Sequence, residues 1–219
     1  CRDWFQLCLK EGLTVFRDQS FSAEQRGEAV QRIKDVRALR ARQFAEDAGP
    51  LAHAVRPDTY GAIDNLYTAT VYEKGAELIR MLRLMIGDKA FFEGMNRYFD
   101  TMDGTAATIE DFITSFEPFT AHDLKAFSRW YAQAGTPRLS AQGQFDAEAR
   151  TYTLTVEQML SGGEPFVVPL AMGLISRDGQ ALPLQLAGES APVATGLSRR
   201  YTVVVDAGHG GRDPGPTSR

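Results

Sequence analysis

The chain has 219 residues, 43% of them hydrophobic and 24% charged, with 24 basic residues against 28 acidic ones and a net charge of −4. This is the composition of a globular chain able to bury a core in one large or two smaller domains, and it excludes the basic balance of a nucleic-acid binder. The longest apolar runs fall far short of the roughly 20 residues of a membrane span, and the first residues lack the layout of a signal peptide.

From about Trp4 the residues Trp4, Leu7, Cys8, Glu11 and Val15 share one helical face, which places the Glu11 carboxylate on the side that should be buried. A carboxylate there must be paired with a Lys or Arg, protonated, hydrogen-bonded or bound to a metal, and periodicity does not choose among these. Cys1 and Cys8 are the only cysteines. On one helix about 10 Å of rise separates them, too far for a disulfide, and reduced thiols fit a cytoplasmic location.

Ser22-Ala23-Glu24-Gln25 reads as a capping box opening a long helix to about Asp47, stopped by Gly49-Pro50. Its apolar stripe is Val30, Ile33, Val36, Leu39 and Phe44, and the Arg and Glu residues around it read as a solvated face. Pro50 to Tyr67 is irregular and carries His53, read as a loop-structuring residue. Thr70-Val71-Tyr72-Glu73 has the form of a second capping box, with Tyr72 in the first turn of a helix that ends at Gly87. On these residues alone, Tyr72 reads as a half-buried phenol bonded to a backbone group. A third helix starts at Asp88, with Phe91, Phe92, Met95, Tyr98, Phe99 and Met102 expected inside. Thr108-Ile109-Glu110-Asp111 and Thr120-Ala121-His122-Asp123 open two more, the last closed by Gly135 as the residue after the C-cap.

Beyond Thr136-Pro137 the period changes to that of strands. Thr151 to Val156 alternates, after a turn through Asp146-Ala147-Glu148. Phe166 to Ile175 reads as another strand, Asp178-Gly179 as a hairpin turn, and Ala181 to Leu186 as the returning strand. The whole is therefore an α+β chain, helical to residue 135 and followed by a small antiparallel sheet too short for a complete sandwich.

Three stretches carry a resemblance. CRDWFQLCLKEGLTVFRDQ and TVYEKGAELIRM are similar to the segments that follow the HExxH motif in aminopeptidase N, a gluzincin zinc-metallopeptidase family, and FSRWYAQAGTP with PLAMGLISRDGQALPL resembles its passage from catalytic domain to β-sandwich. The loop departs from the family's H-P-[IV]-R-P run at Ala54. The resemblance implies a thermolysin-like catalytic domain over 1–135, a β-sandwich-like domain over 136–198, and release of N-terminal amino acids from peptides with a free N-terminus. It also implies that Glu11 is a Zn2+ ligand and that Tyr72 donates a hydrogen bond to the oxyanion of the tetrahedral intermediate. A phenol suits that role because it stays protonated at neutral pH.

No HExxH occurs, and none of the three histidines, His53, His122 and His209, has a second one four positions away. The expectation is thus a fragment of a zinc aminopeptidase, inactive alone because one carboxylate cannot hold zinc where hydrolytic sites use three protein ligands. Residues 199–219 are different in character. VVVDAGHGGRDPG resembles the opening strand of zinc-dependent N-acetylmuramoyl-L-alanine amidases, with His209 at the position of a zinc ligand. Two alternatives therefore stand beside the peptidase: a fusion with such an amidase, and a non-enzymatic module whose Arg-rich helix over 23–47 binds a partner.

Overall fold

Helices fill the first 132 residues of a computed structural model that describes residues 2–148, 151–160, 162–182 and 201–204. Two bodies are distinguished, Cys1–Val167 and Val168–Val205. In the first, a 3-10 turn at Trp4–Gln6 leads into α1 (Leu7–Arg26), followed by α2 (Glu28–Asp47). Trp4 is on the turn and exposed. The buried line of α1 is Leu7, Cys8, Leu9, Glu11, Gly12 and Phe16, so the expected face is right at Leu7, Cys8 and the Glu11 carboxylate, while Val15 is only half-buried and Phe16 takes its place.

The cap expected at Ser22 is not there. Helix α1 runs through it, and the break falls at Gly27, whose φ of 99° is a left-handed value that a side chain disfavours. Nor is the apolar stripe of α2 covered: Val30 and Ile33 are 70% and 58% exposed, and the residues α2 buries are Gln31, Gln43 and Asp47. The helix is anchored by polar side chains instead, including a bidentate Arg32–Glu77 pair with the later helix α3 (Gly75–Ile86).

The core lies beneath α3, α4 (Asp88–Met102) and α5 (Ile109–Thr114). Phe91 stacks on Phe116 with centroids 5.5 Å apart, Phe112 meets Phe116 edge-on at 5.0 Å, and Phe16 reaches Phe91 from α1 at 5.7 Å. Phe92 and Phe99, expected inside, are half exposed. The face that α4 buries is Phe91, Gly94 and Met95, the i, i+3, i+4 pattern, from which Phe92 and Phe99 are rotated away. The capping box at Thr108 is present with Asp111 as its reciprocal partner. The one expected at Thr120 is not: Asp123 caps the short α6 (Leu124–Phe127), and α7 (Arg129–Ala132) follows. Gly135 lies past the end of α7, whose C-cap is the extended Gln133.

The first body ends in an antiparallel hairpin of β1 (Arg138–Asp146) and β2 (Thr151–Met159), in register from Arg138 opposite Met159 to Asp146 opposite Thr151. Its link to the helices is specific. Trp130 stacks on Phe166 at 4.0 Å and donates its indole N–H to the Val167 carbonyl at 2.7 Å. Phe166 is thereby a buried anchor and not the first residue of a strand. In the second body, β3 (Pro169–Met172) and β4 (Leu174–Ile175) are separated at Gly173 where one strand was expected. Strand β4 pairs with β5 (Ala181–Leu182) through the turn at Asp178-Gly179, and β3 pairs with β6 (Tyr201–Val204). The architecture is α+β, mostly helical with small antiparallel pairs. Cys1, residues 183–186 of the expected return strand, and His209 lie outside the described residues. Among the described residues no helix is long and apolar enough to cross a membrane.

Candidate functional site

Glu11 and Tyr72, 61 positions apart by number, come together because two helices cross with nothing between their backbones. Gly12 of α1 faces Gly75 at the start of α3, and a Cβ on Gly12 would lie 2.9 Å from the Gly75 carbonyl carbon and 3.2 Å from the Ala76 nitrogen. The contact places the residue before Gly12 beside the turn that precedes Gly75. There the Tyr72 phenol comes close enough to the Glu11 carboxylate to feel its charge.

That turn is not the α-helical start the sequence predicts. Thr70–Lys74 is a π-turn, an i→i+5 winding that is uncommon and concentrates at functional sites. Thr70 makes no side-chain cap and Glu73 pairs with Arg42 at 3.1 Å. The free N–H groups are met from elsewhere: Glu46 of α2 accepts from Ala69 at 3.3 Å and Thr70 at 2.8 Å, and the Thr68 hydroxyl accepts from Val71 at 3.2 Å. His53 stands against this support. Its Nδ1 meets the Ala54 carbonyl at 2.7 Å and its Nε2 lies 4.0 Å from Glu46, in keeping with a loop-structuring role.

Glu11 is 9% exposed. Its one ion-pair partner among the described residues is the adjacent Lys10, whose ammonium lies 3.1 Å away at the end of a largely solvated side chain. Such a pair is screened by water and compensates poorly for a buried carboxylate. Burial first, then the nearby Glu11 charge, hold the Tyr72 phenol above its ordinary value of 10, so it carries its proton at neutral pH. The Tyr67 ring packs beside that of Tyr72, with centroids 6.2 Å apart. Nearby Cys8 is inert by contrast: burial pushes its thiol up to about 12 against the opposing pull of Arg56.

Sequence reasoning thus names Glu11 and Tyr72 and misses Lys10, Tyr67 and the two glycines. The glycines had a signal, since an isolated Gly inside a helical pattern marks a close approach. Gly12→Ala is expected to destabilise the fold by about 1–3 kcal/mol because the new methyl meets backbone that cannot rotate away. Gly75→Ala should cost less, its Cβ finding only one atom nearer than 3.8 Å, the Gly12 Cα at 3.3 Å. Urea unfolding of the two variants checks the order; equal midpoints would remove the contact from the account.

Comparison with known proteins adds three findings. The model of the peptidase family M1 domain matches residues 1–131, and that of a domain of unknown function (DUF3458) with an Ig-like fold matches 135–204, which takes in the first residues of the stretch 199–219. Aminopeptidase N of Caulobacter vibrioides is 63% identical over 153 residues, covering 70% of this chain and 18% of the relative, and aminopeptidase N of Escherichia coli K12 is 47% identical over 194 residues, covering 86% and 22%. The crystal structure of Legionella pneumophila aminopeptidase A in complex with aspartic acid superposes with a TM-score of 0.69 at 35% identity, over 83% of this chain and 20% of that one. The chain therefore spans about a fifth of the length of the relatives it matches.

Proposed function

We propose, for a chain that belongs to peptidase family M1, that these residues supply one metal ligand and one oxyanion donor to a zinc aminopeptidase acting on peptides with a free N-terminus. The convergence of a buried carboxylate and a protonated phenol at the Gly12–Gly75 crossing carries this reading. Helical residues 1–135 form the catalytic part, and 136–198 its β-sandwich-like neighbour. A cytoplasmic setting belongs to the same proposal, on the ground of the free thiol of Cys8.

The donor set fits zinc in part. Glu11 is a carboxylate with only a solvated ammonium and a phenol to meet it, as suits a ligand for a cation. No group of three His, Cys, Asp or Glu residues among the described residues is placed to hold a metal, so the remaining ligands and the general base would come from outside the described residues. Bound zinc would supply Lewis-acid polarisation of the scissile carbonyl and acidify the attacking water. Glu11, held rigidly by α1, fixes one corner of the site. Tyr72 presents an O–H where negative charge develops on the former carbonyl oxygen, stabilising the transition state more than the ground state.

The isolated chain is accordingly inactive. The test is hydrolysis of an aminoacyl-anilide with added zinc by the 219-residue chain and by the full-length enzyme that carries it. Turnover by the full-length enzyme alone is expected; turnover by the chain alone, surviving Glu11→Ala, would overturn both the ligand assignment and the division of labour.

A further inference from the structure

Lys74 closes the π-turn two positions after Tyr72, yet its side chain is only 7% exposed and points to the side occupied by Asp47. Its ammonium donates to Asp47 Oδ2 at 2.8 Å and to the Gly135 carbonyl at 3.0 Å, and it lies 5.9 Å from the Trp130 ring centroid. Asp47, 1% exposed, receives two further bonds: the Gly135 N–H on Oδ1 at 3.0 Å and the Thr136 hydroxyl on Oδ2 at 2.8 Å. The end of α2, the end of the π-turn and the first residues after the helical part are tied at one buried point.

We infer that this buried Asp47–Lys74 pair is the positioning device for Tyr72, and that Gly135 and Thr136, at the start of the segment matched as Ig-like, belong to it. The reasoning is geometric. A π-turn is wound more loosely than the α-helix it leads into, and relaxing it to α would rotate Tyr72 relative to Gly75, three positions on, by roughly 50°. Gly75 cannot follow, because it is in backbone contact with Gly12. The relaxed form would also draw Lys74 off Asp47 and strand a carboxylate with no water to receive it. The pair therefore locks the winding, and the winding aims the phenol at the site of Glu11. The carboxyl that anchors it is ionised: burial would raise it, but Lys74, Thr136 and Gly135 together hold it below its ordinary 3.8.

The inference rests on Tyr72 acting in the reaction, and the experiment separates the two claims. In the full-length enzyme, kcat, KM and bound zinc are measured for Lys74→Met, Tyr72→Phe and the double variant. Lys74→Met is expected to lower kcat by up to about 100-fold, the scale of a misplaced group, with KM within about twofold. Zinc content stays at the wild-type level, since Glu11 is on another helix. In the Tyr72→Phe background the same change lowers kcat by no more than about twofold, because the group it positions is gone. Lys74→Arg recovers most of the rate. Additive losses in the double variant, or an unchanged kcat in Lys74→Met, overturn the inference; a Tyr72→Phe enzyme with wild-type kcat overturns the proposed function instead. Should Lys74→Met fail to fold, Thr136→Val removes one bond to Asp47 and keeps both charges, and its smaller kcat loss must show the same non-additivity.

Discussion

Glu11→Gln in the full-length enzyme is expected to strip the bound metal and to lower kcat/KM by well over the roughly 100-fold that losing a ligand's supporting partner costs. The neutral amide keeps the size of the carboxylate and one of its two acceptor oxygens, so packing at the α1–α3 crossing is preserved and the loss reports chiefly on the charge. Zinc measured by atomic absorption after dialysis, with anilide turnover on the same sample, reads the outcome. A structural carboxylate, paired only with Lys10, would show the reverse: zinc retained, turnover within about tenfold, and a changed unfolding midpoint. That result would return Glu11 to an ordinary ion pair and leave Tyr72 with no metal site to serve.

The second large effect is on stability. Asp47→Ala removes three bonds at once and leaves the Lys74 ammonium buried without its counter-ion, which costs about 3–5 kcal/mol where one partner of a buried pair is deleted. The pH dependence has a definite sign. Since the folded Asp47 carboxyl is held below its ordinary 3.8, its contribution is fully present above that value and fades as the pH falls through the lower folded value. Wild type and Asp47→Asn should therefore differ in urea midpoint at pH 6 and converge as the pH falls through that lowered value. A gap that persists into acid, or a loss under about 1 kcal/mol in Asp47→Ala, would show that the pair is incidental.

Much of this was legible in the chain because it is local. Thr108 and Asp111 cap each other three residues apart, and Asp178-Gly179 turns a hairpin by its own backbone preference, so neighbours suffice to predict them. Glu11 was legible for a similar reason: helical period alone put it on a buried face. What failed was settled at long range. Ser22-Ala23-Glu24-Gln25 has the letters of a helix start, but α1 has already begun fifteen residues earlier and nothing stops it before Gly27. Thr70 and Glu73 have the same letters, yet Glu46 takes the N–H groups they would have served and Arg42 takes Glu73. No local rule announces a π-turn whose supports come from residues 46, 47 and 135. The α2 stripe shows the opposite error, in which period is present and burial is not.

The Gly12–Gly75 contact also bears on how such an enzyme changes over generations. A joint of bare backbone has no intermediate settings: the smallest possible alteration is a whole methyl group driven into a carbonyl carbon. Any residue but glycine at position 12 therefore requires the crossing itself to shift. A shift at the crossing carries Glu11 and the turn that bears Tyr72 with it, so two groups far apart in the chain answer to one missing methyl.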